Sequence, residues 1–291
     1  MSTTAPDIIF PHLGIYIETL NREFITIGTF SIYWYGFVIT LGFVLGCVWA
    51  QIEAKRTGQD PKIYSDFLIP YAFIAALVGS RAYFVIFSWD SFRHDLMSIF
   101  MLRDGGLAVY GGILATTLAS YVFCKKRKVS FWIFTDTAVQ GLLIGQMLGR
   151  LGNFFNREAF GGHTDSLFAV MFRLDQVRFA TPELLQTLIN HNGVYYLQVH
   201  PTFFYEIFWN LCVFIFILWY RKRKQFDGEL LFMYLAFHGM GRFWIESLRA
   251  DQLTLGATNI AVSQLLSAIL VVVGTSAIVM KRIEIKKKTA K

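Results

Sequence analysis

Residues Phe30–Ile52 read FSIYWYGFVITLGFVLGCVWAQI, a block without one charged side chain. A helix rises about 1.5 Å per residue, so about 20 apolar residues cross a hydrocarbon layer about 30 Å thick. In that layer each backbone amide must find its partner within the protein, which a helix achieves locally. Six more blocks of this kind follow, at Phe67–Phe87, Leu107–Cys124, Phe131–Leu151, Thr202–Tyr220, Leu230–Leu248 and Ile260–Met280. The expected fold class is an all-α polytopic membrane protein with about seven transmembrane helices. The short alternating strands of a membrane β-barrel are absent from the pattern.

Composition agrees. Hydrophobic residues make up 55% of the chain and charged residues 16%, against about 25% charged in a soluble domain. The net charge of +7 does not point to nucleic acid, because the basic residues cluster just after apolar blocks, where topology signals lie. Cys47, Cys124 and Cys212 lie in or at the ends of apolar blocks without metal-ligand spacing. They read as small buried hydrophobes. No metal and no cofactor is expected.

Orientation follows from the connections. One set carries Lys55, Arg56 and Lys62, then KKRK at Lys125–Lys128, RKRK at Arg221–Lys224, and the tail lysines. The other set carries only scattered arginines: Arg22, Arg93, Arg103, Arg157, Arg173, Arg178 and Arg249. The basic side faces the cytoplasm, so the amino terminus is expected outside and the carboxyl terminus inside an inner, cytoplasmic membrane. Residues 1–29 then form an extracytoplasmic arm with no signal-peptide pattern. Residues 152–200 form an extracytoplasmic subdomain between spans four and five. Residues 281–291 form a solvated basic cytoplasmic tail on a single integral membrane domain, 1–291. The alternation in Ser166–Arg173 (SLFAVMFR) suggests a strand or two in the long loop.

Ionisable groups in hydrocarbon cost at least about 2.5–3.5 kcal/mol each and persist when they pair, snorkel or act. Arg81 ends span two, Arg150 ends span four, and Arg242 sits inside span six. Arg81 could simply snorkel to the headgroups. His238, Arg242 and Glu246 recur at i, i+4 and i+8, one helix face, which must turn inward. Gly239 and Gly241 thin that helix so that a neighbour or ligand can approach. Tyr35 sits in YWYG at the outer end of span one, where aromatic belts form. Glu206 follows HPTFFYE at the outer start of span five, either as a helix-start carboxylate or as an arginine partner. The densest polar stretch is Gly149–Gly162, GRLGNFFNREAFGG. Its glycines permit close backbone approach, and arginine and asparagine offer the donors of an anion site at headgroup level.

This stretch resembles the signature of the prolipoprotein diacylglyceryl transferases, G-R-x-G-N-F-x-N-x-E-x-x-G, at every fixed position. The resemblance extends to YWYG at Tyr33–Gly36, GSR at Gly79–Arg81, DGGLAVYGG at Asp104–Gly112, HPTFFYE at His200–Glu206 and GRFWIESLRADQ at Gly241–Gln252. It implies a transferase of the cytoplasmic membrane that moves a diacylglyceryl group from phosphatidylglycerol to the lipobox cysteine of a preprolipoprotein. Its other contacts would be membrane lipids. The family's functional positions fall here on Tyr35, Arg150, Asn153, Glu158, Gly161, Glu206, Arg242, Glu246 and Arg249, and Asn156 and Arg81 lie in the matched motifs. Many members of the family carry histidine at the place of Tyr110 and tyrosine at the place of His238, so the base is left open between Tyr110, His238 and the arginine field. The competing class is a small-anion or lipid transporter with intramembrane arginines. It predicts an internal repeat and polar groups near the midplane, and the chain has no such repeat.

Overall fold

The computed structural model describes residues 5–102, 105–250, 252 and 261–290. The expectations for Arg103, Asp104, Asp251, Ile260 and Lys291 lie outside the described residues. The chain divides into two compact units, one of residues 47–138 and one of residues 1–46 with 139–291.

Seven helices of 18 residues or more occur among the described residues. They are α1 (Trp34–Arg56), the continuous helix Lys62–Phe87, α5 (Val109–Arg127), α6 (Phe131–Asn156), α8 (Thr202–Tyr220), α9 (Glu229–Glu246) and α10 (Val262–Thr289). Four of them, Trp34–Arg56, Lys62–Phe87, Thr202–Tyr220 and Val262–Thr289, are long and apolar enough to cross a membrane. The chain is thus mostly helical. The other three carry the glycines and most of the polar groups discussed below, which lowers their hydropathy without shortening them.

Boundaries differ from the sequence expectation where a local cause intervenes. Phe30–Tyr33 does not open a helix. It is strand β4, paired with β3 (Glu23–Ile27). The second block starts earlier, at α2 (Lys62–Phe67), and runs through a widened turn at Leu68–Phe73 into α3 (Ile74–Phe87). Pro70 lies in that turn. It has no N–H to donate and its ring displaces the preceding carbonyl, so the helix opens there instead of ending. The fourth block continues past Leu151 to Asn156, which makes the first half of the signature helical rather than loop. The sixth stops at Glu246. The seventh runs on as helix to Thr289, so most of the basic tail is helical.

In the unit of residues 47–138, α3 and α5 meet through small residues. A Cβ added at Gly79 would run into the Gly111 carbonyl, 2.6 Å away, and one at Gly112 into Ser80 Oγ, 2.5 Å away. After α3 comes the short helix α4 (Trp89–Phe92). An apolar cluster of Tyr64, Phe67, Phe123, Cys124 and Phe134 closes the opposite end.

In the other unit, the amino-terminal arm and the long loop build one sheet. Strands β1 (Ile8–Phe10), β2 (Ile15–Ile17), β5 (Val170–Arg173), β6 (Ile189–His191) and β7 (Val194–Val199) pair antiparallel in the order β2-β1-β5-β7-β6. The arm and the 152–200 loop, expected as separate segments, are therefore one subdomain. Ile8, Val170, Phe172, Leu197 and Val199 on one face pack against Phe154 of α6, Phe160, and Phe203 of α8. Ile9, Met171 and Tyr196 form a second cluster on the other face. Both faces are covered, so the alternation in SLFAVMFR does not separate core from solvent, and Val170, Met171 and Phe172 are all buried. Buried Asp7 ties the arm down. It accepts from Leu20 N (2.8 Å) and Gln176 Nε2 (2.6 Å) and lies 3.5 Å from the Arg157 guanidinium. The sheet thereby fixes the carboxyl end of α6 against the amino end of α8.

Candidate active site

Arg150 sits on α6, Glu206 on α8 and Arg242 on α9. Arg150 Nε donates to Glu206 Oε2 at 2.7 Å, and Arg242 Nη1 donates to Glu206 Oε1 at 2.9 Å. Each carboxylate oxygen of buried Glu206 therefore takes one guanidinium. Of the two roles open to Glu206 from sequence, the structure shows partner, and to both arginines. The second oxygen pair needed to offset the two cations comes from Glu246, whose Oε2 lies 2.7 Å from Arg242 Nη2 one helical turn away. The i, i+4 reading of that face thus corresponds to a contact. Buried charges persist only when so paired, because removing one partner leaves an uncompensated ion.

The pairing does not exhaust the arginines. Arg150 also donates Nη1 to Asn153 Oδ1 at 3.3 Å, but its Nη2 has no partner among the described residues. Arg242 keeps its Nε without a partner on the same terms. Both side chains remain about a quarter exposed (27% and 21%). Two forks facing one carboxylate, with donors left over, suit a phosphate or other oxyanion.

Arg81 contrasts with this. It is buried in the 47–138 unit, and its guanidinium donates to the carbonyls of Ile99 (2.8 Å), Gly105 (2.7 Å), Gly106 (3.0 Å), Ser98 (2.6 Å) and Met101 (3.4 Å). With its fork used on backbone, Arg81 holds a loop. Neither the substrate-binding role expected for it nor simple snorkelling fits. Tyr110, near the start of α5, is in that same unit and 38% exposed.

The signature continues from Arg150 along α6. Asn153 and buried Asn156 both donate through Nδ2 to Glu158 Oε1, at 3.2 and 3.1 Å. Glu158 stands between two non-glycine residues with positive φ, Arg157 (52°) and Ala159 (57°). Such strained backbone persists when its surroundings over-determine it. Here Arg157 donates to Leu20 O (2.6 Å) and Thr202 Oγ1 to Ala159 O (2.8 Å). The carboxylate is aimed by its neighbours. Tyr35, at the start of α1, lays its ring over Gly152, where a Cβ would lie 3.0 Å from the ring.

Gly161 is a backbone crossing point. Its N–H donates to His200 O (2.8 Å), and it bridges the Arg249 backbone. Next to it Gly162 N donates to Leu248 O (2.8 Å). A Cβ on Gly161 would meet Leu248 O and His200 Cβ. The glycine thus holds the segments after α6, before α8 and after α9 together, and places Arg249. His200, outside the long helices, has its pKa lowered by burial and by His163.

His238 stacks on Tyr234 (centroids 5.4 Å) and borders a small space of about 10 Å³ with Glu206, Trp209 and Arg242. That space holds one water at most. Gly239 and Gly241 make room for protein and not for a ligand. A Cβ on Gly239 would lie 2.5 Å from Ser267 O of α10, and one on Gly241 would strike the Trp209 ring of α8. A larger cavity of about 400 Å³ opens on the other side of Asn153, between Glu158, Phe160, Arg178, Phe179 and Leu184. Arg178 and Phe179 were missed from sequence, where Arg178 counted only toward loop charge. No local motif marks them, because the sheet alone brings them to Glu158. Among the described residues no group of His, Cys, Asp and Glu could hold a metal.

Helices of membrane length joined to a five-stranded sheet, with an arginine–carboxylate cluster near their junction, define an integral membrane protein equipped to handle an anion. The chain belongs to the prolipoprotein diacylglyceryl transferase family, whose sequence profile matches residues 22–280. It is 39% identical over 256 residues to the phosphatidylglycerol–prolipoprotein diacylglyceryl transferase of Halalkalibacterium halodurans, covering 88% of this chain and 84% of that one. It is 36% identical to the protein of that name from Shouchella clausii, covering 93% of each. A Clostridium botulinum relative of the same name is 40% identical, covering 84% of this chain and 90% of its own. The transporter reading finds no support among these relatives.

Proposed function

We propose that this transferase moves the diacylglyceryl group of phosphatidylglycerol onto the cysteine thiol of a lipobox signal peptide, the first step of bacterial lipoprotein maturation. The observation that carries the reading is the Arg150–Glu206–Arg242 bridge with donors left over. In the reaction an S–C bond forms at the glyceryl carbon and the C–O bond to phosphate breaks. The electron pair leaves on the phosphate oxygen of glycerol phosphate, and the thiol gives up its proton. Arg150 and Arg242 bind the phosphate and stabilise the charge that grows on the leaving oxygen, the step at which aimed donors are worth most. Glu206 and Glu246 hold the forks in place, and Asn153, Asn156 and Glu158 order the adjoining wall. Tyr35, Gly161 and Arg249 complete that wall by packing and backbone pairing. A cysteine thiol has an ordinary pKa of about 8.5, and the guanidinium donors that Glu206 and Glu246 leave free favour its thiolate. The proton passes to His238, or to water where the arginines alone favour the thiolate, and Tyr110 positions the donor.

The reading places all seven long helices across the cytoplasmic membrane, the amino terminus and the sheet outside, and the carboxyl terminus inside. Purified protein incubated with glycerol-labelled phosphatidylglycerol and a lipobox peptide should move label to the peptide cysteine and release glycerol phosphate in equal amount. Label appearing on water alone, or on no acceptor, would sink the assignment.

A further inference from the structure

The cavity beside Glu158 has a chemistry of its own. At about 400 Å³ it lies in the lower range of small-ligand pockets. Its floor is apolar and rigid: Phe160 and Leu184 are 6% and 3% exposed. Leu184 is held by the cap of the short helix α7 (Pro182–Leu185), where Thr181 Oγ1 accepts from Leu184 N at 3.4 Å. Phe179 overhangs the rim and is 65% exposed. Glu158 supplies the polar wall. Its Oε1 already accepts from both asparagines, whereas Oε2 has only Arg178 Nη1 at 3.8 Å. That is beyond hydrogen-bond distance, so this oxygen can still accept from an N–H.

These features discriminate between the two substrates. A phosphate would be repelled by Glu158, and apart from Asn153 of α6 the walls of the cavity come from loop segments or from α7, not from the long helices that an acyl chain needs. An extended peptide fits better. It presents backbone N–H and C=O in alternation with side chains: an N–H for Glu158, a C=O for Arg178, and an aliphatic side chain for the floor. Asn153 joins the two sites, lining this cavity while accepting from Arg150 Nη1 at 3.3 Å. We propose that this cavity is the acceptor site, holding an aliphatic residue next to the reacting cysteine so that the thiol meets the donor across Asn153. The proposal rests on the transferase reading above.

The test uses full-length protein in lipid nanodiscs containing phosphatidylglycerol, with a fluorescent lipobox peptide. Phe179→Ala removes an exposed rim side chain and leaves folding untouched, while Ala250→Phe fills the cavity from a further wall position. Both should raise KM for the peptide by about 5- to 20-fold, the usual effect of losing one central aromatic contact. KM for phosphatidylglycerol and kcat should stay within about twofold. A raised KM for phosphatidylglycerol with the peptide KM unchanged would overturn the proposal, as would no change in either. Peptide binding read by anisotropy, without turnover, separates the two claims. Binding weakened by Phe179→Ala in a protein that transfers nothing would keep the acceptor site and remove the transferase reading. Binding unaffected by both variants, with turnover intact, would remove the acceptor site alone.

Discussion

At the scale of single residues, environment decides what an arginine does. Arg81 and Arg150 both lie in the later part of apolar blocks, and sequence gives them similar standing. Arg81 turns its fork onto five carbonyls, whereas Arg150 shares one carboxylate with Arg242. Replacing Arg150 or Arg242 with alanine should remove transfer to below about 1% while leaving membrane insertion intact, since loss of one aimed donor alone costs about 10²–10³ in rate. Arg242→Lys should rescue poorly, because one ammonium cannot serve Glu206, Glu246 and an oxyanion in one plane. Near-normal turnover of Arg242→Lys in the labelled-lipid assay would mean that charge alone suffices. The proton acceptor is tested by His238→Phe, Tyr110→Phe and Tyr110→His, each assayed across pH. With His238 as base, His238→Phe should lower kcat by about 10²–10⁴ and remove the acidic limb of the profile. Full activity with an unchanged profile would leave the proton to the arginine field.

At the scale of elements, glycine at a crossing carries as much as a charged side chain. Gly161 lets three segments approach with no atom between them, and any Cβ there meets the Leu248 carbonyl. Gly161→Ala should therefore destabilise by about 1–3 kcal/mol, the cost of forcing one methyl into a packed site. Its activity should fall further than its stability, because the strand-like contact that places Arg249 is the one displaced. A melting curve and turnover measured on the same preparation separate the two losses. Unchanged values for both would show that the chain yields there easily. The Gly149–Gly162 stretch was legible from sequence as a polar cluster, and the pairing of Arg242 with Glu246 on α9 followed from helical spacing. What stayed hidden depends on long-range pairing. Phe30–Tyr33 has the composition of a spanning helix, yet β3 captures it as a strand. Arg178 and Phe179 reach Glu158 only because β1, β5 and β7 form one sheet from segments some 160 residues apart. No window of sequence contains that information.

At the scale of the molecule, the reading depends on which side of the bilayer each end faces. Basic residues concentrate in Lys125–Lys128, Arg221–Lys224 and the tail beyond Met280, and translocating such clusters is unfavourable against the positive-inside bias. Within the unit of residues 1–46 and 139–291, the sheet packs on Phe154 near the carboxyl end of α6 and on Phe203 at the start of α8, the end of α8 away from Arg221–Lys224. On the proposed topology, seven crossings put the amino terminus outside and the carboxyl terminus inside, with the Arg150–Glu206–Arg242 cluster toward the outer face. An acceptor that arrives through a secretion channel needs its site on that face. The check is a pair of single-cysteine variants in a chain whose three natural cysteines are replaced by alanine, one at Asn192 in the exposed β6–β7 turn, the other at Lys287 in the tail. An impermeant maleimide on intact cells with a permeable outer envelope should label position 192 strongly and position 287 only after the inner membrane is broken. The reverse pattern would turn the molecule over and put the arginines on the cytoplasmic side, where no secreted peptide reaches them. Equal labelling at 192 and 287 in intact cells would mean an even number of crossings between them, and α9, the least apolar of the three intervening helices, would then have to lie along the surface instead of spanning.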